Sequence, residues 1–288
     1  MADLWESSVV IALRDYQWLK KSNKTTFPDQ YISLGGDAEA ANGDAIFLDG
    51  EKLFLFEVKS LEAKVREEWA DRAEPKLAFE RIFKEYIHFM DDGHGYSKGL
   101  HLRQLMKCHH FVYWSAVRRG GSKVAGNLSV APYLTKAASK LTSKNWPGDW
   151  CNERHISKIG DYFGLVEWID EKGNPVPHSA DQVLIGDMSS AGAWFSRDHE
   201  RPEISELGLN PEEFVEYLGW LGGGDLPIDA VVLSSGGTFF RHVKKMSELQ
   251  AIFKPPDPEH RCQERVSLDV TNTSEPRRRR FSGPWPSS

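Results

Sequence analysis

Apolar positions near the start of the chain repeat with the period of a helix, and the period then changes to that of strands. Over residues 4–20 the apolar side chains recur about every 3.6 positions, which predicts an amphipathic helix. Two apolar runs, 45–48 and 52–59, flank Asp49-Gly50. This dipeptide between two such runs predicts a β-hairpin with a two-residue turn.

Helical and strand patterns go on alternating beyond the hairpin. A further helix is predicted to begin at Asn210, because Asn is a favoured N-cap and Pro211 suits the first helical position. The alternation predicts a mixed α/β (α+β) fold class, with a central mixed sheet flanked by helices and an additional α/β portion toward the C-terminus. The remaining predicted elements are helices after Ser60 and at 75–90, 100–107 and 133–144, and strands at 110–114, 163–169, 183–185 and 230–233.

Changes in composition divide the chain into three regions. We expect residues 1–125 to form a core and residues 126–255 to form an α/β extension that packs on this core or completes it. Residues 256–288 are rich in proline, serine and arginine. Because this last region has few apolar side chains to offset the entropy of ordering, we expect a disordered tail.

Composition and charge narrow the classes of protein. The chain has 288 residues, of which 40% are hydrophobic and 27% charged, so it can bury a core without metals or disulfides. A net charge of −6 argues against coating nucleic acid by bulk positive charge, although local basic patches remain compatible with it. Three cysteines without a paired framework, an acidic rather than basic start and no long apolar run predict a cytoplasmic protein without membrane association.

The predicted hairpin carries polar side chains at one end of an apolar ladder. A turn at Asp49-Gly50 would place Asp44 opposite Leu55, and the two-residue period of a strand would put Glu57 and Lys59 on the same face. Asp44 and Glu57 would then be diagonal neighbours, about 7 to 8 Å apart at the backbone. The spacing therefore predicts that two carboxylates and one ammonium group converge.

Such a cluster suits a divalent cation. Burying charges beside apolar side chains is costly unless they are paired or ligated. The carboxylates of Asp44 and Glu57, the backbone carbonyl of Val58 and waters suit Mg²⁺, and Mn²⁺ is expected to substitute for it. Lys59 could orient or deprotonate a water, or stabilise charge on a phosphate. The alternative interpretation is an exposed strand ladder, in which Glu57 and Lys59 are ordinary surface charges.

Gly43-Asp44, the hairpin and Glu57-Val58-Lys59 resemble the signature of the PD-(D/E)xK nuclease superfamily, which includes many restriction endonucleases, junction resolvases and phage-defence nucleases. Gly43 stands where the name of the superfamily suggests proline, a position that is tolerant in the family. The resemblance covers about residues 35–60 strictly, and 1–120 with the flanking helices. It implies a restriction-endonuclease-like core of α-β-β-β-α-β order, with Asp44 and Glu57 as metal ligands and Lys59 as the catalytic lysine.

The function implied by the resemblance is that of a magnesium-dependent nuclease. Its substrate would be nucleic acid, DNA more than RNA, in a setting such as restriction or phage defence. A homo-oligomer or a partner subunit is compatible with the sequence. The alternatives are a non-catalytic nuclease-fold subunit or interaction module of a larger complex, and a nuclease that stays silent until a partner or signal rearranges it.

Further candidate residues lie outside the hairpin. Glu6 on the first helix could supply a third acid, as a helix-borne acid does in some members of the superfamily. Gln104 is similar in its place to a glutamine that lines the groove of RecB-like nucleases. Each of these, and each basic candidate, could equally be an ordinary solvated side chain. The basic candidates for nucleic-acid contact are Lys136, Lys140 and Lys144, spaced four residues apart on a predicted helix, and Arg118, Arg119 and Lys123 in a glycine-rich loop.

Overall fold

The fold is seen in a computed structural model that describes residues 5–21, 31–35, 43–49, 52–70, 74–91, 99–119, 122–142, 183–184, 193–196, 203–223, 227–233 and 240–253. The helices are α1 (Glu6–Lys21), a 3-10 helix (Glu62–Glu68), α2 (Leu77–Asp91), α3 (Leu100–Cys108), α4 (Tyr133–Lys140), α5 (Pro211–Gly222) and α6 (Met246–Phe253). The strands are β1 (Tyr31–Gly35), β2 (Ala45–Asp49), β3 (Lys52–Leu61), β4 (His109–Arg119), β5 (Ser122–Pro132), β6 (Val183–Leu184), β7 (Ala193–Ser196), β8 (Glu203–Glu206), β9 (Pro227–Leu233) and β10 (Phe240–Lys245).

A mixed sheet of eight strands, in the order β10-β9-β1-β2-β3-β4-β5-β6, organises the described part of the chain. Strands β3 and β4 are parallel, and the other neighbouring pairs in this sheet are antiparallel. A parallel pair needs a long crossover, and here the 3-10 helix, α2 and α3 provide it. The predicted fold class, a mixed α/β protein with a central mixed sheet flanked by helices, is confirmed.

Strand β3 lies at the centre of this sheet and is buried along most of its length. Its residues from Leu53 to Ser60 are all buried, because β2 and β4 cover its two edges and helices cover the sheet. Aromatic side chains fill the space around it, and the rings of Phe47 and Phe56 lie 5.3 Å apart. A strand enclosed in this way forces any polar side chain it carries to find partners inside the protein.

The helices follow their sequence signals closely where these signals are strong. In α2 the buried side chains recur at helical spacing and form one apolar face. Helix α5 begins as predicted after Asn210, whose side chain accepts a hydrogen bond from the Glu213 N–H at 2.9 Å, within a capping box. The stretch after Ser60 is a 3-10 helix, and α4 ends at Lys140 rather than at residue 144.

The C-terminal half completes the sheet begun by the N-terminal half. The chain up to Phe253 forms one compact unit, and the tail at 256–288, which we expect to be disordered, lies outside the described residues. The expected border between 125 and 126 falls inside β5, which pairs with β4 along its length. Leu209 also exchanges two backbone hydrogen bonds with Leu53 of β3, at 2.8 and 3.1 Å. The predicted strand at 163–169 lies outside the described residues as well.

Within the described ranges, no helix is long and apolar enough to cross a membrane.

Candidate functional site

The hairpin of β2 and β3 has a different register from the predicted one. Asp49, expected in the turn, is paired with Lys52, and Leu55 pairs with Ile46 rather than with Asp44. The turn prediction was therefore wrong by one position on each strand. A turn dipeptide indicates a hairpin but does not fix which residues close the ladder, because that also depends on how the apolar side chains pack.

The start of β2 brings Asp44 to β3 by an irregular pairing. The Asp44 N–H donates to the carbonyl of Phe56 at 3.0 Å, although Phe56 is also the ladder partner of Ala45. The Asp44 carboxylate accepts a hydrogen bond from the Val58 N–H. Gly43 precedes it with φ +128°, a conformation that side chains rarely adopt and that proline cannot reach. The backbone conformation at this position therefore favours glycine over the proline of the resembled signature.

Glu57 and Lys59 are buried in the interior, with only 1% and 3% of their surface exposed. This overturns the interpretation of an exposed ladder. The ammonium of Lys59 contacts the carboxylate of Glu57 and lies 2.8 Å from Oε1 of Glu68, the last residue of the 3-10 helix. The residue pair that carries the resemblance is therefore part of an internal charge cluster.

A second lysine closes this cluster into a ring. Lys76, which directly precedes α2, contacts the same Glu57 oxygen as Lys59 and lies 3.1 Å from Oε1 of Glu68. Each lysine thus bridges both glutamates, and we call Glu57, Lys59, Glu68 and Lys76 the charge ring. Glu68 is completely buried, and its other oxygen accepts a hydrogen bond from the Tyr133 hydroxyl at 3.0 Å. The contacts of Glu68 Oε1 with the lysines are ion pairs rather than aligned hydrogen bonds.

Sequence reasoning missed Glu68 and Lys76. Both lie in charged stretches that are typical of solvated helices, and neither belongs to the hairpin motif. The available signal was the apolar sequence next to each residue. Trp69 directly follows Glu68, and the apolar helix α2 directly follows Lys76, so the two charged side chains are buried together with these apolar neighbours. Recognising this requires the crossover path between β3 and β4, which a local pattern does not give.

Burial and charge shift the acidic pKa values in different directions. Burial raises the pKa of Asp44 well above its ordinary value, and the charge of Glu57 raises it further against the effect of Lys59 and Lys76. Burial, with the charge of Glu57, likewise raises the pKa of Glu68 to about 7. Burial would raise the pKa of Glu57 too, but Lys59 and Lys76 outweigh it and hold that pKa well below its usual range. Glu57 is therefore the carboxylate that stays ionised.

Both lysines of the charge ring keep their protons. Burial alone would lower the pKa of Lys59 and Lys76, but the adjacent Glu57 and Glu68 outweigh burial and raise both pKa values. Either ammonium can therefore donate hydrogen bonds or balance charge. A lysine held in this state does not serve as a base without a change in its surroundings.

The arrangement fits a hard divalent cation. Asp44 and the charge ring contain three carboxylates and two ammonium groups, so one negative charge is in excess when all are ionised, and no ion pair to Asp44 occurs within the described ranges. A divalent ion would reverse the net charge to +1, which suits one phosphodiester group. No group of three or more His, Cys, Asp or Glu side chains able to hold a metal lies in the described segments. Mg²⁺ does not require one, since two carboxylates, a carbonyl and waters suffice.

Val58 contributes to the site through its backbone. In an extended strand the N–H and the carbonyl of one residue point to the same side. Because the Val58 N–H donates to Asp44, the Val58 carbonyl also points to the side of β3 on which Asp44 lies. Its role as a metal ligand remains a prediction.

Glu6 lies close enough to the cluster to be affected by its charges. It is exposed at the start of α1, yet partial desolvation raises the pKa of its carboxyl, with Lys59 acting in the opposite direction and Glu57 in the same one. Gln104 is placed differently. It is buried in α3, and its amide donates to Glu216 of α5 at 3.1 Å, so its described contact is with a helix and not with the charge ring.

The predicted basic candidates fall into two groups. Lys136 is completely buried, 3.0 Å from Glu62 and over the ring of Tyr113, and Lys140 pairs with the same glutamate at 2.6 Å. These two lysines join α4 to the 3-10 helix and do not form the expected solvated stripe. The second group is Arg118, Arg119 and Lys123, which lie on strands rather than in a loop. Contact of these residues with nucleic acid remains a prediction. Arg118 and Arg119 end β4, Lys123 pairs with Arg118 from β5, and Lys144 lies outside the described residues.

The chain matches no known protein-family model, no curated protein and no solved structure. The resemblance to PD-(D/E)xK nucleases therefore depends on the residues of the hairpin and on the order of the elements around them.

Proposed function

We propose that the chain is a cytoplasmic, metal-dependent nuclease that hydrolyses phosphodiester bonds, with DNA as the favoured substrate. The observation that carries the proposal is the convergence of Asp44, Glu57 and Lys59 in one buried cluster, in which Asp44 has no ion-pair partner within the described ranges. When all three carboxylates of the cluster are ionised, one negative charge is in excess, and a bound cation would stabilise that state in the protein interior. The proposal includes the setting implied by the resemblance, such as restriction or phage defence.

The order of elements supports the same proposal. Helix α1, strands β1, β2 and β3, the crossover helices and strand β4 follow one another as α-β-β-β-α-β, the order that the resemblance implies. The candidate residues lie directly before β2 and in the second half of β3. Strand β1, which no sequence signal predicted, supplies the first of the three successive strands.

The contacts of the side chains support a role for each residue. Asp44, Glu57 and the carbonyl of Val58 would hold Mg²⁺, with Glu6 as a further candidate. When bound, the ion would activate a water and stabilise the charge that develops on the phosphate. Glu57 is suited to ligation because its pKa lies well below its usual range. Lys59 would use its ammonium to orient the water or to stabilise the phosphate oxygens.

The test is a cleavage assay with purified protein, Mg²⁺ and circular or linear, single- or double-stranded DNA. We expect cleavage with Mg²⁺ or Mn²⁺, and binding without turnover with Ca²⁺, because its larger and looser shell positions the water poorly. Asp44→Asn and Glu57→Gln should abolish cleavage. The control is Glu80→Gln, which changes a partly exposed acid paired with Lys84 on α2. Undiminished cleavage by both site variants would refute the proposal.

A non-catalytic role in a larger complex is the second candidate. The observation in its favour is that Lys59 is 3% exposed and held by two glutamates, as in an ion-pair network that serves only the fold. On this alternative the folded chain binds Mn²⁺ no better than Glu57→Gln does and cleaves none of the substrates. Mn²⁺ titration of the two proteins distinguishes the candidates.

A further inference from the structure

Lys76 is a second buried lysine at the candidate site, and the hairpin motif does not account for it. Only 7% of its surface is exposed. Its ammonium contacts the Glu57 oxygen that Lys59 also contacts, and it lies 3.1 Å from Glu68. Glu57 therefore has two cationic partners where one would neutralise it.

The backbone fixes Lys76 in this place. Its N–H donates to the carbonyl of Glu68 at 2.8 Å, and its own carbonyl accepts from the Glu80 N–H at 3.0 Å. The second bond makes Lys76 the N-cap residue of α2, where a positive charge is unfavourable because of the helix dipole. The position is therefore poor for a lysine unless the two glutamates stabilise it.

A second cation changes what Lys59 can do. If Lys59 were the only partner of Glu57, its movement toward a substrate would leave a buried carboxylate without a counter-charge, which is costly. With Lys76 held by the backbone, Glu57 and Glu68 keep a cation whether or not Lys59 stays. The charge ring thus still contains one counter-charge if Lys59 moves away.

We propose that Lys76 is a positioning residue whose ammonium stays beside Glu57 and Glu68 as a counter-charge and thereby leaves Lys59 free to turn toward the substrate phosphate. This inference rests on the proposed nuclease function and extends it to a residue outside the hairpin motif. Lys76 acts through Glu57 and Lys59 and does not touch the substrate.

The first test compares Lys76→Met with Lys84→Met, which changes an exposed lysine of the same helix. In Lys76→Met, kcat should fall about 10- to 100-fold while KM for DNA stays within about twofold of the wild type. Mn²⁺ affinity, measured by calorimetry without DNA, should be unchanged or higher, because a positive charge near the ligands is gone. A merely structural role would weaken metal binding and turnover together. Lys84→Met should match the wild type in all three quantities.

The second test controls for misfolding of Lys76→Met, which leaves an unbalanced charge in the protein interior. Glu68→Gln/Lys76→Met removes one charge of each sign, so the net charge of the ring is unchanged. Because Lys59 remains the only cation on Glu57, kcat should stay as low as in Lys76→Met, whereas Lys76→Arg should restore most of it. Wild-type turnover in the double variant, or Mn²⁺ affinity lowered more than about tenfold in Lys76→Met, would overturn the inference alone. A wild-type protein that neither cleaves DNA nor binds Mn²⁺ would overturn the proposed function, and this inference with it.

Discussion

At the scale of single residues, the proposed function predicts that catalysis depends on the kind of cation at position 59. A lysine ammonium is a compact point charge, whereas an arginine guanidinium is a planar fork that stays protonated. Lys59→Arg should therefore keep a positive charge beside Glu57 and Glu68. Binding of Mn²⁺ and DNA should be retained, but kcat should fall by about 100-fold. Single-turnover kinetics and DNA binding in Ca²⁺ measure the two effects separately. Full activity of the arginine variant would mean that Lys59 serves only as a counter-charge.

The backbone at Gly43 leads to a second prediction at this scale. The resembled signature has proline at this position, but Gly43 has φ +128° and proline is locked near −65°. Gly43→Pro should therefore lower the free energy of unfolding by more than about 1 kcal/mol. Urea denaturation of the variant and the wild type measures the change. A variant as stable as the wild type would show that the positive φ is not required.

Residues near the site differ in how far the sequence revealed them. Glu57 and Lys59 were predicted to share one face, because the two-residue period of a strand is reliable where the strand is strongly apolar. The predicted register of Asp44 was wrong, since its place depends on the irregular pairing next to β2. Glu68 and Lys76 could not be predicted, since the crossover between β3 and β4 brings them in from helical segments. Lys136 was misplaced on the surface because a charged residue at helical spacing is more often solvated than buried.

At the scale of elements, we expect alanine substitutions at two glycines to change stability in opposite directions. In β5, a Cβ added at Gly126 would lie 2.1 Å from Nε1 of Trp114, so Gly126→Ala should destabilise the protein by about 1 to 3 kcal/mol. In α5, a Cβ added at Gly219 meets nothing within 4 Å. Gly219→Ala should stabilise the protein by about 0.5 to 1 kcal/mol, because alanine is the better helix former.

Thermal or urea unfolding of the two alanine variants tests this pair together. Each serves as the control for the other, since both add one methyl group to a glycine. Equal changes in the two variants would contradict the close approach of Trp114 to β5.

The elements that sequence reasoning missed share weak local signals. Strand β5 contains Gly126 and several polar residues, and it is a strand because it pairs with the apolar β4. Strand β1 has five residues and gains its place from β2 and β9 on its two edges. Strong local signals, such as the apolar run of β3 or the cap at Asn210, were enough to predict their elements.

At the scale of the whole molecule, buried histidines tie stability to pH. Burial lowers the pKa of His110 from its ordinary 6.5 to about 4. Between these values the unfolded chain binds a proton that the folded protein does not, so this histidine makes stability fall as the pH falls. Glu68 acts in the opposite sense between about pH 4.5 and 7, because its raised pKa lets the folded state hold the extra proton. The net slope of the wild type is therefore a sum of opposing contributions.

The contribution of His110 can be isolated by difference. His110→Phe removes the titration and leaves the other groups in place, so its stability should fall less steeply with acid. Between pH 6 and 5 the difference in slope should be about 1.2 kcal/mol per pH unit. Urea denaturation of both proteins at several pH values measures it, and parallel profiles would contradict a neutral buried His110.

The pairing of β1 with β9 also has a consequence for biosynthesis. Strand β1 comes early in the chain and lies inside the sheet, but its neighbour β9 begins only at Pro227. A ribosome makes the two strands far apart in time, so one edge of β1 stays unpaired while most of the chain is made. An unpaired edge is a template for another chain. Products released before Pro227 should therefore aggregate, and folding of the eight-stranded sheet should be completed only after β9 has emerged.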